Sequence, residues 1–362
     1  MHSFKVLALG LSAALLVACG GGGNGDQSPK IAYSSLVSFG DSLSDIGTYK
    51  VGTIAAANGG KYTVNSSTDK NWTELIAAQL GLAAPCPAQT GLDGNAAYGF
   101  SVPVTNYATC RNYAQGGSRV TNPVGPAHKL TGSPLGQLTV PIVTQIANHL
   151  AVVNNAFSGK ELVTVMAGGN DVFINLATFN TTVKAGGDAT TAGTAAATAM
   201  AVAATELAGY IKTQLIAKGA THIVVLNIPD VAGTPFGASL PAQGKAFVDT
   251  LVTTFNKQLN ASLAGTSGVL LIDAYTSSKD EIANPAQYGL SNVTATACNL
   301  AYPSNILATP TDDGSSLVCT PNNLITGDTS HYLFADSVHL TPYGYKLVAE
   351  LVNKELVRAG WL

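Results

Sequence analysis

Two hydrophobic periods alternate along this chain. Short β-branched runs at residues 36–39, 162–166, 223–228 and 269–272 have the length and composition of buried strands. Between them, residues 72–80, 141–150, 195–217 and 247–263 carry apolar side chains at three-to-four spacing, as helices covering a sheet do. Runs of the first kind interleaved with faces of the second are the pattern of βαβ units. They predict an α/β fold, a three-layer α/β/α sandwich around a central parallel sheet. A last helix is marked by Thr341 as N-cap, Pro342 at the first helical position, and an apolar face through Leu347, Val348, Leu351 and Leu356. Residues 89–107 and 284–329 are rich in Gly, Pro, Asn and Thr without a sustained period, which predicts two long loops. Residues 186–204 are Ala/Thr/Gly-rich, but their apolar spacing merges into the following helix, so they read as an elaborated crossover rather than a linker.

The 362 residues allow two domains by length alone, yet the pattern runs on from Ser34 without a break, and one domain over 34–362 is expected. Ahead of it stands Lys5, then an apolar run over residues 6–18 that is too short to span a bilayer and suits the core of a secretory signal. Leu16-Val17-Ala18-Cys19 resembles the lipobox of bacterial lipoprotein signals. That resemblance implies a signal peptide over 1–18, lipidation of Cys19, and an exported lipoprotein held at the outer membrane on its periplasmic or surface face. Five of the six residues 20–25 are glycine, and 19–33 reads as a flexible tether.

With Cys19 consumed by lipid, Cys86, Cys110, Cys298 and Cys319 remain as an even set in a compartment that permits disulfides. Sequence leaves three connectivities open; Cys86 with Cys110 and Cys298 with Cys319 close short local loops and are preferred. No CxxC or neighbouring Cys/His pair suggests zinc. Charged residues make up 11% of the chain, at a net charge of −3, with no basic stripe for a phosphate backbone, so nucleic acid is not an expected partner.

Four polar clusters carry the chemistry. In open parallel sheets ligands bind beyond the carboxyl ends of the strands, so a site residue should lie just after one. Ser42, in Gly40-Asp41-Ser42-Leu43, follows the first strand, and Asn170, in Gly168-Gly169-Asn170-Asp171, follows the second strong one. Gly117 follows a weaker extended stretch at 112–114, and His339 precedes the last helix. A serine hydroxyl needs a base, and the ordinary pKa of an imidazole suits His339 to that role. Asp336, three residues earlier, can hold the other ring nitrogen. The amides of Ser42 and Gly117 and the side chain of Asn170 can supply three donors to an oxyanion.

In this order the clusters resemble the blocks of the SGNH hydrolase superfamily, in its GDSL esterase/lipase group. Weaker likenesses at residues 71–75, 226–230 and 284–298 point to the lecithinase/hemolysin-like branch. The resemblance covers nearly all of 34–362. It implies a flavodoxin-like fold and a cofactor-free, metal-free serine esterase or lipase working through an acyl-enzyme. Ser42 would be its nucleophile, His339 its base, Asp336 the orienting acid, and Ser42, Gly117 and Asn170 its oxyanion hole, with Gly116 as an alternative to Gly117. Leu340 departs from the pattern, which has proline after the histidine, and leaves the stiffness of that loop open.

Asp45 reads as a hydrogen-bonded structural residue of the nucleophile turn. His128, His149 and His222 have no carboxylate at suitable spacing, and His331, near Asp328, reads as a loop residue. A metal-dependent phosphoesterase would need histidines that these motifs lack. A non-enzymatic surface lipoprotein binding a polymer or a partner would have no use for a serine with its base.

Overall fold

A computed structural model describes residues 31–310 and 313–362. The signal at 1–18, the lipidation site Cys19 and tether residues 20–30 lie outside the described residues. Tether residue Tyr33 already packs on the folded body, its hydroxyl donating to the carbonyl of Trp361 at 3.2 Å.

The chain runs through strands β1 (Ser35–Gly40), β2 (Gln89–Asp93), β3 (Ser101–Asn106), β4 (Glu161–Met166), β5 (His222–Leu226), β6 (Val269–Ile272), β7 (Asn292–Thr296) and β8 (Tyr332–Phe334). Its helices are α1 (Gly52–Ala56), α2 (Trp72–Gln79), α3 (Ile142–Val152), α4 (Gly169–Lys184), α5 (Ala189–Tyr210), α6 (Pro235–Ser239), α7 (Ala242–Leu263), α8 (Ala274–Ala283) and α9 (Pro342–Ala359). The four predicted strands form one parallel sheet in the order β1-β4-β5-β6.

Successive side chains of a strand point to opposite faces, and both faces here are covered. Val37, Phe39, Val163, Val165, Ile223 and Val225 pack into one cluster with α3, α4, α5 and α7. Leu36, Leu162, Met166, Val224, Leu226 and Ile272 pack into the other with α2 and α9. The result is the expected three-layer α/β/α arrangement. Burying each such side chain is worth roughly 1.5–3 kcal/mol, so the sheet fixes the edge from which the site loops emerge.

The weak extended stretch at 112–114 lies along the outer edge of β1. Ser38 donates to Arg111 O, Tyr113 to Ser38 O and Gln115 to Gly40 O, at 3.0, 2.8 and 3.1 Å. On the helical side, α5 reaches further than the periodicity indicates. It starts at Ala189 and continues through a π-helical turn, Ile211–Leu215.

The two predicted loops are corrected. Residues 89–107 contain the antiparallel hairpin β2–β3, bracketed by the Cys86–Cys110 disulfide. The period was hidden because β3 is solvent-facing along its length and carries Pro103, which an exposed edge tolerates. Residues 284–329 contribute β7, which pairs in parallel with β8, and are closed by Cys298–Cys319. Helices α4 and α8 were also missed. The first buries only a narrow stripe, including Val172 and Leu176, in an otherwise polar sequence, and the second buries only Ala274 and Glu281.

Candidate active site

The turn after β1 is built around close approaches. A Cβ on Gly40 would lie 2.9 Å from Met166 O, so only glycine lets β1 end against β4. Gln145 of α3 clamps the same residue, accepting from Gly40 N (2.9 Å) and donating to Gly40 O (2.8 Å). Asp41 then folds the chain back, its carbonyl accepting from Ser44 N at 3.0 Å and its Oδ1 from Leu43 N at 3.0 Å. Burial pushes the pKa of Asp41 up to about 6. Ser42 sits at the tip of this turn.

Asp45 holds the next segment. Its Oδ1 accepts from Gly47 N and Thr48 N at 2.9 and 2.8 Å, and its Oδ2 from Gly116 N at 3.0 Å. It has the structural place expected of it and also ties the Ser42 turn to the Gly116-Gly117 loop. That third bond engages the amide of Gly116, whereas the Gly117 amide has no hydrogen-bond partner among the described residues. Gly117 has φ +80°, and a Cβ there would come 2.6 Å from Pro126 O.

The same loop positions Asn170, in the first turn of α4. Its Nδ2 donates to Ser118 O at 2.8 Å, which fixes the amide plane while leaving a second N–H. Next to it, Asp171 accepts from Arg119 Nε at 2.9 Å and Val120 N at 3.0 Å, locking α4 to the glycine loop.

His339 and Asp336 lie on the tight turn between β8 and α9. The turn is closed by Ala335 N donating to His339 O (2.7 Å) and Thr341 N to Leu333 O (3.0 Å). Thr341 caps α9 as expected, accepting from Gly344 N at 3.1 Å, with Pro342 at the first position. Stiffness thus comes from backbone pairing, with leucine standing at 340. Asp336 is buried and accepts from the amides of Val338, His339 and Ser316 at 3.0, 2.7 and 2.9 Å. Burial works to raise its pKa, but the facing imidazole and these donors prevail and hold it well below the usual carboxylate range.

His339 Nδ1 lies 2.9 and 2.8 Å from the two Asp336 oxygens, and Nε2 lies 2.8 Å from Ser42 Oγ. A carboxylate that is ionised can only accept, so Nδ1 carries the proton and Nε2 faces the hydroxyl as acceptor. The Tyr62 ring lies against the imidazole at 4.6 Å between centroids. Ser42, Gly117, Asn170 and His339 all line one cavity of about 860 Å³. Such a chain can take a proton from an oxygen nucleophile and return it to a leaving group.

Of the other histidines, His149 is buried beside Tyr113 and Phe157, with burial lowering its pKa to about 4, and His331 faces Ser330 at the surface. Sequence reasoning missed Gln145, Ser118, Ser316 and Tyr62, each of which acts on the site from a distant segment. Only the glutamine gave any signal, as a polar residue on the buried face of a helix.

A family model described as GDSL-like Lipase/Acylhydrolase matches residues 36–352. Esterase EstA of Pseudomonas aeruginosa is 28% identical over 361 residues, covering 92% of this chain and 48% of the relative. A GDSL esterase/lipase of Arabidopsis thaliana is 25% identical, with 88% and 85% covered. The chain thus spans about half the length of EstA. Among solved structures, the phospholipase A1 of Streptomyces albidoflavus NA297 matches with a TM-score of 0.44 at 13% identity, over 90% of this chain and 100% of that one. Its match to the family model spans nearly the whole folded body, and the chain belongs to the GDSL-like lipase/acylhydrolase family.

Proposed function

We propose that this protein hydrolyses carboxylic esters through an acyl-enzyme formed on Ser42. The observation that carries the reading is the unbroken path from Ser42 Oγ through His339 to a buried, ionised Asp336, opening on a largely apolar cavity. Ser42 Oγ attacks the ester carbonyl as His339 Nε2 takes its proton. The tetrahedral oxyanion is met by the amides of Ser42 and Gly117 and by the second N–H of Asn170. Collapse expels the alcohol, protonated by His339, and water then repeats the sequence in reverse roles to release the acid. Asp336 keeps the imidazole in the required tautomer and stabilises it once charged.

Attachment to a membrane through a lipid on Cys19 is part of the same proposal and follows from the lipobox-like sequence. The test is fluorophosphonate labelling alongside turnover of p-nitrophenyl esters. Wild type is expected to label and turn over, and Ser42→Ala to do neither while melting at an unchanged temperature. Labelling that persists in Ser42→Ala, or a wild type inert to both reagents, would overturn the reading.

A further inference from the structure

One face of α8 lines the same cavity as Ser42, through Ala274, Ser277, Ser278, Glu281 and Ile282, the spacing of a single helical stripe. Two of its polar groups are engaged elsewhere. Ser278 Oγ accepts from Asp230 N at 2.8 Å and donates to Tyr275 O, and Ser277 Oγ donates to Glu281 Oε1 at 3.1 Å. Glu281 is different. Its residue is 7% exposed, and the bond from Ser277 is the one side-chain hydrogen bond to it among the described residues. A carboxylate offers about four acceptor sites, so most of that capacity is unmet.

Beyond the bond from Ser277, nothing around Glu281 offsets its burial. Among the described residues no cation pairs with it, and the neighbouring Asp280 carboxylate opposes its ionisation. The other cavity walls include Ile228, Val231, Phe236 and Leu333. A leucine would fill the place without the cost of an underbonded buried carboxyl.

We infer that Glu281 is a specificity-determining residue of the substrate cavity, receiving a hydroxyl group carried by the ester at a distance from the reacting carbonyl. A hydroxyl both donates and accepts, and it therefore matches the carboxyl in either protonation state. Burial raises the pKa of Glu281 to about 7, so both states are populated near neutrality. A site that meets a hydroxyl with a buried polar partner discriminates against the analogue lacking it, because the partner is then left unpaired.

The inference rests on the ester-hydrolase reading, and its test separates the two. Methyl ω-hydroxyalkanoates and methyl alkanoates of matched heavy-atom count, in a chain-length series, are followed by pH-stat with wild type, Glu281→Leu and Glu281→Gln. At the length that reaches Glu281, the ratio of kcat/KM for hydroxy ester over alkyl ester is expected to fall about tenfold in Glu281→Leu and to be largely kept in Glu281→Gln. Calorimetric binding of the same esters to Ser42→Ala and Ser42→Ala/Glu281→Leu reads the preference without turnover and should show the same tenfold change in Kd.

Equal ratios in wild type and Glu281→Leu at every length would overturn the inference, as would a wild-type preference for the ω-ammonium ester over the hydroxy ester. Absence of hydrolysis of any ester, with the binding preference intact, would overturn the ester-hydrolase reading and leave Glu281 as the recognition group.

Discussion

Replacing Glu281 by glutamine removes one ionisation and little else, which makes the cost of that ionisation measurable. Burial raises the pKa of this carboxyl from 4.5 to about 7. Each pKa unit is worth about 1.36 kcal/mol, so the ionised group costs the folded state about 3 kcal/mol, and less where cavity water reaches it. The sign follows from proton counting. A folded pKa above the unfolded value means that the folded state holds the proton over the interval between them, so stability falls as pH rises from about 4.5 to 7 and is level beyond. Glu281→Gln has no such term. The difference in unfolding free energy, variant minus wild type, should therefore be near zero at pH 4 and grow to about 2–3 kcal/mol in favour of the variant by pH 8. Urea unfolding followed by tryptophan fluorescence at half-unit pH steps measures it. Asp41 and Asp45, whose pKa values burial also lifts to about 6, titrate in both proteins and cancel in the difference. A difference that stays flat with pH would refute the argument that Glu281 is desolvated and that the bond from Ser277 compensates it only in part.

The proposed oxyanion donors give two further expectations. Asn170→Ala removes a side-chain donor whose plane is set by Ser118 O, and kcat for p-nitrophenyl esters should drop about a hundred- to a thousandfold while fluorophosphonate labelling of Ser42 persists; turnover within tenfold of wild type would exclude the role. Gly117→Ala puts a Cβ 2.6 Å from Pro126 O at φ +80°, and urea unfolding should show a loss of about 1 kcal/mol or more together with reduced turnover. Wild-type stability in that variant would mean that the loop tolerates the side chain.

What the sequence disclosed and what it hid divide along a physical line. Strands β1, β4 and β5 are buried on both faces and β6 partly so, and such strands are written as largely apolar runs. Ser42 and Asn170 were legible because each comes directly after one of them, and His339 because it precedes a well-capped helix. The hairpin β2–β3 had no such mark, since the exposed side chains of β3 need no alternation and β2 buries only Gly91 and Leu92. Ser316 and Tyr62 were invisible for another reason: one reaches Asp336 across 20 residues by its backbone amide, and the other reaches His339 across the whole fold. A backbone donor carries no residue-type signature. Glu281 lies in a polar segment whose helix the apolar spacing did not reveal, and only the packing of α8 turns it inward.

The bond between the hydroxyl of Tyr33 and the carbonyl of Trp361 brings both ends of the described chain to the foot of the sheet, about 20 Å down β1 from Ser42. A bead, a fusion partner or a bilayer gripping either end would hold the molecule by its base, with Ser42 at the far end of the strand. Esters dissolved in the surroundings would arrive unhindered. For esters embedded in the same bilayer, the body would have to tip over to bring Ser42 down to the surface that holds it.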